Sequence, residues 1–519
     1  MVKGGKMQKH SSLSKTQFRI KQIRNLSLQI FRSKRGAFGV IILVIASVIA
    51  IAAPLIAPHD PVKDTDLAGA YCAPIWYPRI FGGEYSENVY LIEDPLFESP
   101  QSVEKWMPPS DGSIQVSLTN ITGYDKTLEG KDYTKPGALI INLTDPSSAS
   151  LEVVFRATVK YDYSAPPKRF RLSLYYLAKA AENSPINVTI TLHRELPSGS
   201  DSIVLLDAAR STTARIYQTS NKWKELRVDS QAERAWTEAY LGTGVQAPER
   251  YLFPSTGNYT VELRFQFTRN PELQPGKVVL FVDNFQIKLF GSIYGLLGTD
   301  QFGRDIYSQL IWGSRLSLFV GLLSAVISVV LGLILGLVAG YIGGLTDEVL
   351  MRVTDVLLTL PGLPLLIILM AVLGASLMNL IILIGFLGWM GFARTVRSMV
   401  LSIKERPFIE AAKAAGAGPS YIMVRHIIPN VITVVYVTLA TSVPGAILTE
   451  AAMSFLGLYD PTVMTWGRML HDVETSPVGV KMWWWAVPPG ISIAIVSLAF
   501  ILIGYALDEI LNPRLRQRR

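Results

Sequence analysis

Two stretches of this chain set ionisable residues where apolar or neutral ones would be expected. Glu450 is the only ionisable residue in the run Val431 to Leu458, and a carboxyl in such a run is costly unless a neighbour or a water-filled cavity meets it. It could line a path across a membrane, or it could be a structural carboxyl bonded to a neighbouring helix or set near the outer interface. The second stretch, Glu410-Ala-Ala-Lys-Ala-Ala-Gly416, is followed after nine residues by His426-Ile-Ile-Pro429. That order predicts a short helix, a glycine break, a second short helix and a proline at the start of the next span. Gly416 gives the bend its backbone freedom, and the small Ala411, Ala412 and Ala417 let a partner approach closely. An ordinary amphipathic loop between spans would share that small-residue pattern.

Three further groups carry charge or aromatic character at defined places. Gly298, Asp300, Gly303, Arg304 and Asp305 precede a long apolar run; their carboxylates and guanidinium can cap and pair at a helix end, or touch a substrate. Arg352 and Asp355 stand three apart, which predicts an intrahelical pair. Trp483, Trp484 and Trp485 open the last apolar run and read as an interfacial belt. Catalytic constellations are missing from the sequence. It contains no GxxxxGK[ST] phosphate loop, so ATP hydrolysis is not expected of this chain. Five scattered histidines and the single Cys72 offer no metal-ligand spacing and no intrachain disulfide.

The elements that must position these residues follow from hydropathy. Across 519 residues, 49% are hydrophobic and 17% charged, and the mean hydropathy is +0.30. That is too apolar for an ordinary soluble protein and too polar for a chain that is all membrane. The 51 aromatics, and 40 glycines without a three-residue period, exclude disordered and collagen-like chains. Uncharged runs occur at Ala37 to Ala57, Leu316 to Tyr341, Val356 to Phe392 (long enough for two helices split near Gly374 to Asn379) and Trp483 to Leu507, and Val431 to Leu458 carries only Glu450. Each crosses a hydrocarbon core of about 30 Å, giving six spans. The first run starts too deep and is too long to be a cleaved leader.

The net charge of +8 is placed by the same map. Ten Lys/Arg and no acidic residue precede position 36, and the chain closes with Arg514, Arg516, Arg518 and Arg519. Both ends are therefore expected in the cytoplasm, and six spans agree. Phe392 to Pro429 is also rich in Lys and Arg and falls on the same side. Basic tails beside spans are a topology signal, so no nucleic-acid partner is expected. The expected organisation is a basic cytoplasmic segment 1–36, a first transmembrane helix 37–57, an outer insertion 58–294 and a core 295–519 with five helices and a cytoplasmic loop 392–429.

The insertion has a different texture. Ile114 to Leu118, Leu151 to Val159, Phe170 to Leu174, Asn187 to Leu192, Tyr259 to Phe265 and Val278 to Leu289 read as strands, punctuated by turn-rich pieces at Leu196 to Ser200 and Pro254 to Gly257. Many short strands without a helical period predict an all-β sandwich. The order resembles the jelly-roll domains often used as carbohydrate-binding modules. N-x-[ST] acceptors stand at Asn120, Asn142, Asn187 and Asn258; a glycosylated outer surface would fit an archaeal host.

The Glu410 to Pro429 spacing resembles the EAA loop of ABC importer permeases, with His426 and Ile428 where the usual pattern has Ile and Leu. Leu297-Gly-Thr-Asp-Gln-Phe-Gly-Arg-Asp305, Met351-Arg-Val-Thr-Asp355, Leu360-Pro-Gly-Leu-Pro364 and Glu450-Ala-Ala-Met-Ser-Phe-Leu-Gly457 resemble the dipeptide/oligopeptide/nickel permeases. Ala53-Pro-Leu-Ile-Ala-Pro58-His-Asp-Pro61 is similar to their C-type subunit. The resemblance covers roughly residues 20–60 and 295–519; typical members have only a short loop where this chain has its insertion.

It implies a type I importer permease, multi-pass in the plasma membrane, that carries oligopeptides or dipeptides and is not itself an enzyme. Its implied partners are membrane lipid, a second, B-type permease, an extracytoplasmic binding protein and two cytosolic ATPases that hold the ATP and Mg, so this chain binds no cofactor. Glu410, Ala411, Ala412, Gly416, Ala417, His426 and Pro429 would form the coupling helix against the ATPase, and Glu450 would belong to the translocation path. The outer domain leaves oligosaccharides open as cargo, and also a membrane-anchored carbohydrate-binding receptor.

Overall fold

The computed structural model describes residues 29–511 except 93, 95, 98, 99, 111, 120–137, 144–149, 182–183, 221, 232–233 and 269–276. The chain divides into two compact units, one of Met1–Asp64 with Ile306–Arg519 and one of Thr65–Asp305.

The first unit is helical. α1 (Lys34–Ile56) starts at Ser33, whose hydroxyl accepts the Gly36 N–H at 2.9 Å. α2 (Ile306–Ile342) is followed by α3 (Gly344–Thr359), α4 (Gly362–Leu373), α5 (Leu377–Gly388) and α6 (Met390–Lys404). After them come α7 (Pro407–Ala414), α8 (Ile428–Phe455), α9 (Trp466–Thr475) and α10 (Trp483–Leu511). Among the described residues, five helical stretches are long and apolar enough to cross a membrane, and α3 with α4 passes the same test as a pair bent by 92°. The bend falls at Pro361, because proline removes a backbone donor and pushes the residue before it out of helical geometry. The expected split near Gly374 to Asn379 is present: α4 ends at Leu373, and Ser376 caps α5 by accepting the Asn379 N–H.

Small residues set the helix spacing, as packing in lipid requires. A Cβ on Gly332 would lie 2.8 Å from the Trp389 carbonyl, one on Gly336 2.5 Å from the Ala393 carbonyl, and one on Gly340 2.8 Å from Val400. This stripe of three glycines, four residues apart, lets α2 lie directly on α6.

The second unit is built on two sheets whose strands pair antiparallel, with short helices at Tyr77–Phe81, Arg234–Tyr240 and Pro248–Leu252. Its strands are β1 (Val89–Tyr90), β2 (Trp106–Met107), β3 (Ile114–Thr119), β4 (Ala138–Leu143), β5 (Ser150–Tyr161), β6 (Arg169–Lys179), β7 (Ile186–Leu196), β8 (Gly199–Leu206), β9 (Arg215–Ile216), β10 (Lys224–Asp229), β11 (Gly257–Thr268) and β12 (Val278–Phe290). One sheet runs β10-β6-β12-β4-β3 with β1 on β12, and the other β2-β5-β11-β7-β8 with β9 on β7. Inward residues of both sheets form one core. Phe155 meets Phe285 edge-on at 5.0 Å between ring centroids, and Trp106 stacks on Phe265 at 6.0 Å. All six expected strands are found, and the Leu196 to Ser200 turn is the β7–β8 hairpin. Asn142, Asn187 and Asn258 sit inside strands, none of them buried; Asn120 lies outside the described residues.

Candidate functional site

The segment after α6 folds as a knob anchored from beneath. Pro407 stands at the first turn of α7, where its missing N–H costs nothing. The helix stops in a Schellman motif: Gly416 adopts φ +82°, its N–H donates to the Lys413 carbonyl at 2.9 Å, and the Ala417 N–H donates to the Ala412 carbonyl at 3.0 Å. A helical turn, Pro419–Ile422, follows and passes into a π-helical stretch, Met423–Ile427. The widening has a local cause, because Pro429 has no N–H to continue the ladder and its ring would press on the carbonyl four residues back. Asn430 compensates through its side-chain amide, which donates to the His426 carbonyl at 2.7 Å.

Ile409, Ile422 and Ile427 are fully buried against Val396, Val400 and Ile403 of α6 and Val431 of α8. Ala412 and Ala417 pack at the margin of that cluster. Glu410, Ala411 and Gly416 are exposed. Phe408, Tyr421 and Val424 are 42%, 57% and 66% exposed, an apolar surface that a monomer rarely leaves uncovered. His426 is flanked by both rings, its centroid 6.3 Å from Phe408 and 5.9 Å from Tyr421.

The arginines before the knob are tied to α3. Arg397 grips Asp347 through two parallel hydrogen bonds, the Nη2 to Oδ2 bond being 2.6 Å, and Arg394 pairs with Asp355. The intrahelical Arg352–Asp355 pair expected from the spacing is thus replaced by an interhelical one: Asp355 is claimed by the arginine that α6 brings across. Lys404 donates to the Gly340 carbonyl at 3.2 Å.

The residues of the Gly298 to Asp305 motif lie in the β unit, where they form a clasp. Asp300 accepts the backbone N–H groups of Phe302 and Arg304 and pairs with the Arg304 guanidinium at 2.6 Å, and all three of Asp300, Arg304 and Asp305 are buried. The turn holds the chain that follows Thr65: the N–H groups of Asp66, Leu67 and Tyr71 donate to the carbonyls of Phe302, Gly303 and Asp300 at 2.9–3.0 Å. Both glycines are required by contact as well as by positive φ. A Cβ on Gly298 would stand 2.1 Å from the Cys72 carbonyl, and one on Gly303 2.6 Å from the Ala68 carbonyl.

Glu450 is 1% exposed. Its Oε1 accepts from Ser454 one turn on at 2.8 Å and from Thr465 at 2.7 Å, while Oε2 has no hydrogen-bond partner among the described residues. Thr465 is the N-cap of α9 and also accepts the Arg468 N–H. Arg468 in turn donates to the Pro461 and Val463 carbonyls, fixing the loop between α8 and α9.

A cavity in the helical unit lies away from Glu450, and the sequence reading missed it. A cavity of about 400 Å³ is walled by Ser324 and Ser328 of α2, Gly362 and Leu366 of α4, Gly388 of α5 and Thr449 of α8, and no charged residue lines it. The available signal was Ser324 and Ser328 one turn apart in a run, Leu316 to Tyr341, that also holds Ser317. The expected tryptophan belt is only partly realised, since Trp483 is 46% exposed whereas Trp484 and Trp485 are buried. Trp484 meets the Trp483 ring edge-on, at 6.0 Å between centroids.

Residues 332–517 match the family described as binding-protein-dependent transport system inner membrane component, and residues 23–74 match the N-terminal TM domain of oligopeptide transport permease C. The dipeptide transport system permease protein DppC of Escherichia coli (strain K12) is 42% identical over 228 residues, 44% of this chain and 75% of that protein. The glutathione transport system permease protein GsiD of Pectobacterium atrosepticum is 36% identical over 221 residues, 42% of this chain and 73% of that protein. Among solved structures, the MetNI methionine ABC transporter in inward-facing conformations aligns at 18% identity and a TM-score of 0.31, covering 38% of this chain and 96% of that one. This multi-pass membrane protein therefore belongs to the C-type permease subunits of the DppC/OppC family of ABC importers, transport components and not catalytic ATPases.

Proposed function

We propose that this chain is one of two membrane-spanning subunits of an importer for dipeptides and oligopeptides, with its basic ends in the cytoplasm and the β unit outside. The knob between α6 and α8 carries the reading: three buried isoleucines fix its underside while Phe408, Tyr421 and Val424 face outward. Such a surface suits an apolar groove on a cytosolic ATPase. ATP favours the closed ATPase pair, and the knob passes that preference to the helices it is packed on. An extracytoplasmic binding protein supplies the cargo, and a B-type permease completes the path.

The uncharged cavity walled by Ser324, Ser328 and Thr449 is our assignment for this chain's side of the path. Its hydroxyls suit the amides of a peptide backbone without selecting a side-chain charge. The outer unit is read as a jelly roll on its nested pairing, with β4 on β12, β5 on β11, β6 on β10 and β7 on β8. The test is uptake of labelled dipeptide by vesicles holding both permeases and both ATPases, with binding protein and ATP supplied. ATP-dependent accumulation that fails when Tyr421 and Val424 are both changed to Asp supports the reading. Accumulation of maltooligosaccharide and not of peptide overturns the cargo.

A further inference from the structure

The β unit holds a polar cavity of about 240 Å³, separate from its apolar core, whose walls include Thr65, Asp66, Arg169, Gln231, Gln301 and Phe302. Its charged wall residues are paired. Asp66 accepts from Arg169 at 2.5 Å and from Arg171 at 2.8 Å, and Arg169 is also held by Asp229 through bonds of 2.7 and 2.6 Å. Asp66 and Arg169, the two charged residues that line the cavity, are thus engaged with each other and neither is presented unpaired to a ligand; Arg171, Arg227 and Lys288, which also bind Asp66 or Asp229, are not among its walls.

What remains is neutral hydrogen-bonding capacity and an aromatic rim. Gln301 Oε1 is buried and has no hydrogen-bond partner among the described residues; turning the carboxamide over would only put an equally needy NH₂ in its place. Gln231 uses its side-chain amide to donate to the Lys168 carbonyl at 3.1 Å, leaving a second N–H and the oxygen. Thr65 adds a hydroxyl. Phe302 is 54% exposed, with the Arg304 guanidinium 4.7 Å from its ring centroid. Held from one side, the ring is a fixed apolar surface at the mouth.

We propose that this cavity is a binding site for one neutral saccharide ring. Vicinal hydroxyls both donate and accept, which matches walls that mix carboxamides, a hydroxyl and a neutralised carboxylate. The apolar C–H face of a pyranose matches an exposed phenyl ring. The space would hold roughly eight waters at about 30 Å³ each, enough for one six-membered ring. A phosphate or free carboxylate would meet Asp66, and an ammonium would meet Arg169. The site gives the outer unit a recognition function of its own.

The full chain in lipid nanodiscs, titrated with the methyl glycosides of glucose, galactose, mannose and xylose and with dialanine, tests this by saturation-transfer NMR. The expected result is saturation transfer to at least one glycoside, with affinity lowered about tenfold or more by Gln301→Leu and by Phe302→Leu at unchanged unfolding temperature. Should Gln301→Leu unfold early, Gln231→Leu, on an exposed wall residue, carries the same comparison. Absence of binding by all four glycosides overturns the proposal. So does binding that none of these substitutions moves, or dialanine displacing the bound glycoside.

Discussion

The hydroxyl of Thr465 donates to the buried carboxyl of Glu450 at 2.7 Å while accepting the Arg468 N–H at 3.2 Å, so the cap of α9 is bonded directly to the C-terminal part of α8. The acid that looked exceptional in its apolar run is thus an anchor for a short amphipathic helix. Glu450→Ala strands two buried hydroxyls, Ser454 and Thr465, and opens a cavity, a loss of about 2–4 kcal/mol. Glu450→Gln keeps an acceptor oxygen at the same place and is expected to lose under about 1 kcal/mol. Thermal unfolding of the two purified variants checks this; an alanine variant as stable as the parent would remove the anchor.

Gly416 closes α7 at φ +82°, and a Cβ there meets nothing within 4 Å. Substitution is therefore a matter of backbone strain, about 1–2 kcal/mol for a left-handed alanine and more for a β-branched residue. Gly416→Val should leave the chain inserted but shift Ala417 and the following turn. The expected outcome is ATP hydrolysis persisting in the assembled importer while peptide uptake falls at least tenfold. Normal uptake by a correctly folded Gly416→Val complex would show that the bend does not set the docking surface.

Legibility followed periodicity. The spans and the long strands β5, β6, β7, β11 and β12 could be read because each repeats one hydrophobic rule over many residues. β8 begins Gly-Ser-Asp-Ser at the sheet edge and β10 alternates charges, so neither shows a pattern of its own; pairing with β7 and β6 creates them. The α3–α4 bend was announced by Pro361 and Pro364, but uninterrupted hydropathy disguised it as one straight element. The knob was legible down to its Schellman glycine because capping is local. The partners of Glu450 and Asp355 were hidden, since each depends on which helix is brought alongside.

Acid should weaken the β unit through its arginine-bound carboxylates. Burial alone would raise the carboxyl of Asp229, but hydrogen bonds from Arg169 and Arg227, with the charges of Arg169 and Arg171, hold it far below the ordinary carboxylate range; Asp66 is lowered in the same way by Arg171 and Arg169. A depressed folded pKa contributes stability that is complete above the unfolded value near 4 and is lost as pH falls below it. Lys288 acts at the other end: burial, with the nearby Arg171, lowers it to about 8. Its charged form is therefore a cost below that pH, relieved as pH rises toward the unfolded value of about 10.4. Unfolding temperature should drop between about pH 4 and 2, and Asp229→Asn should flatten that slope while lowering stability at pH 7. An acid limb unchanged in Asp229→Asn would assign the loss to other groups.

Two ion pairs, Arg397 with Asp347 and Arg394 with Asp355, fasten α6 to α3 immediately before the chain enters the knob. Displacement of the knob by a docked ATPase then has, besides α6 and α8 on which the knob is packed, a route to the bent α3–α4 pair, whose Gly362 and Leu366 wall the cavity. Arg397→Lys keeps the charge but loses the two-pronged geometry, and Arg397→Gln loses both. Uptake should fall in the order parent, lysine, glutamine, with insertion unchanged. The sharper test is reversal: Asp347→Arg and Arg397→Asp each break the pair, and together they restore a pair of opposite polarity. A coupling energy of about 1–2 kcal/mol in unfolding, with partial recovery of uptake, is expected of neighbours that act as a unit. Strictly additive losses would mean that the pair is a passive surface contact, leaving α8, which walls the cavity through Thr449, and the α2–α6 glycine stripe as the routes from the knob.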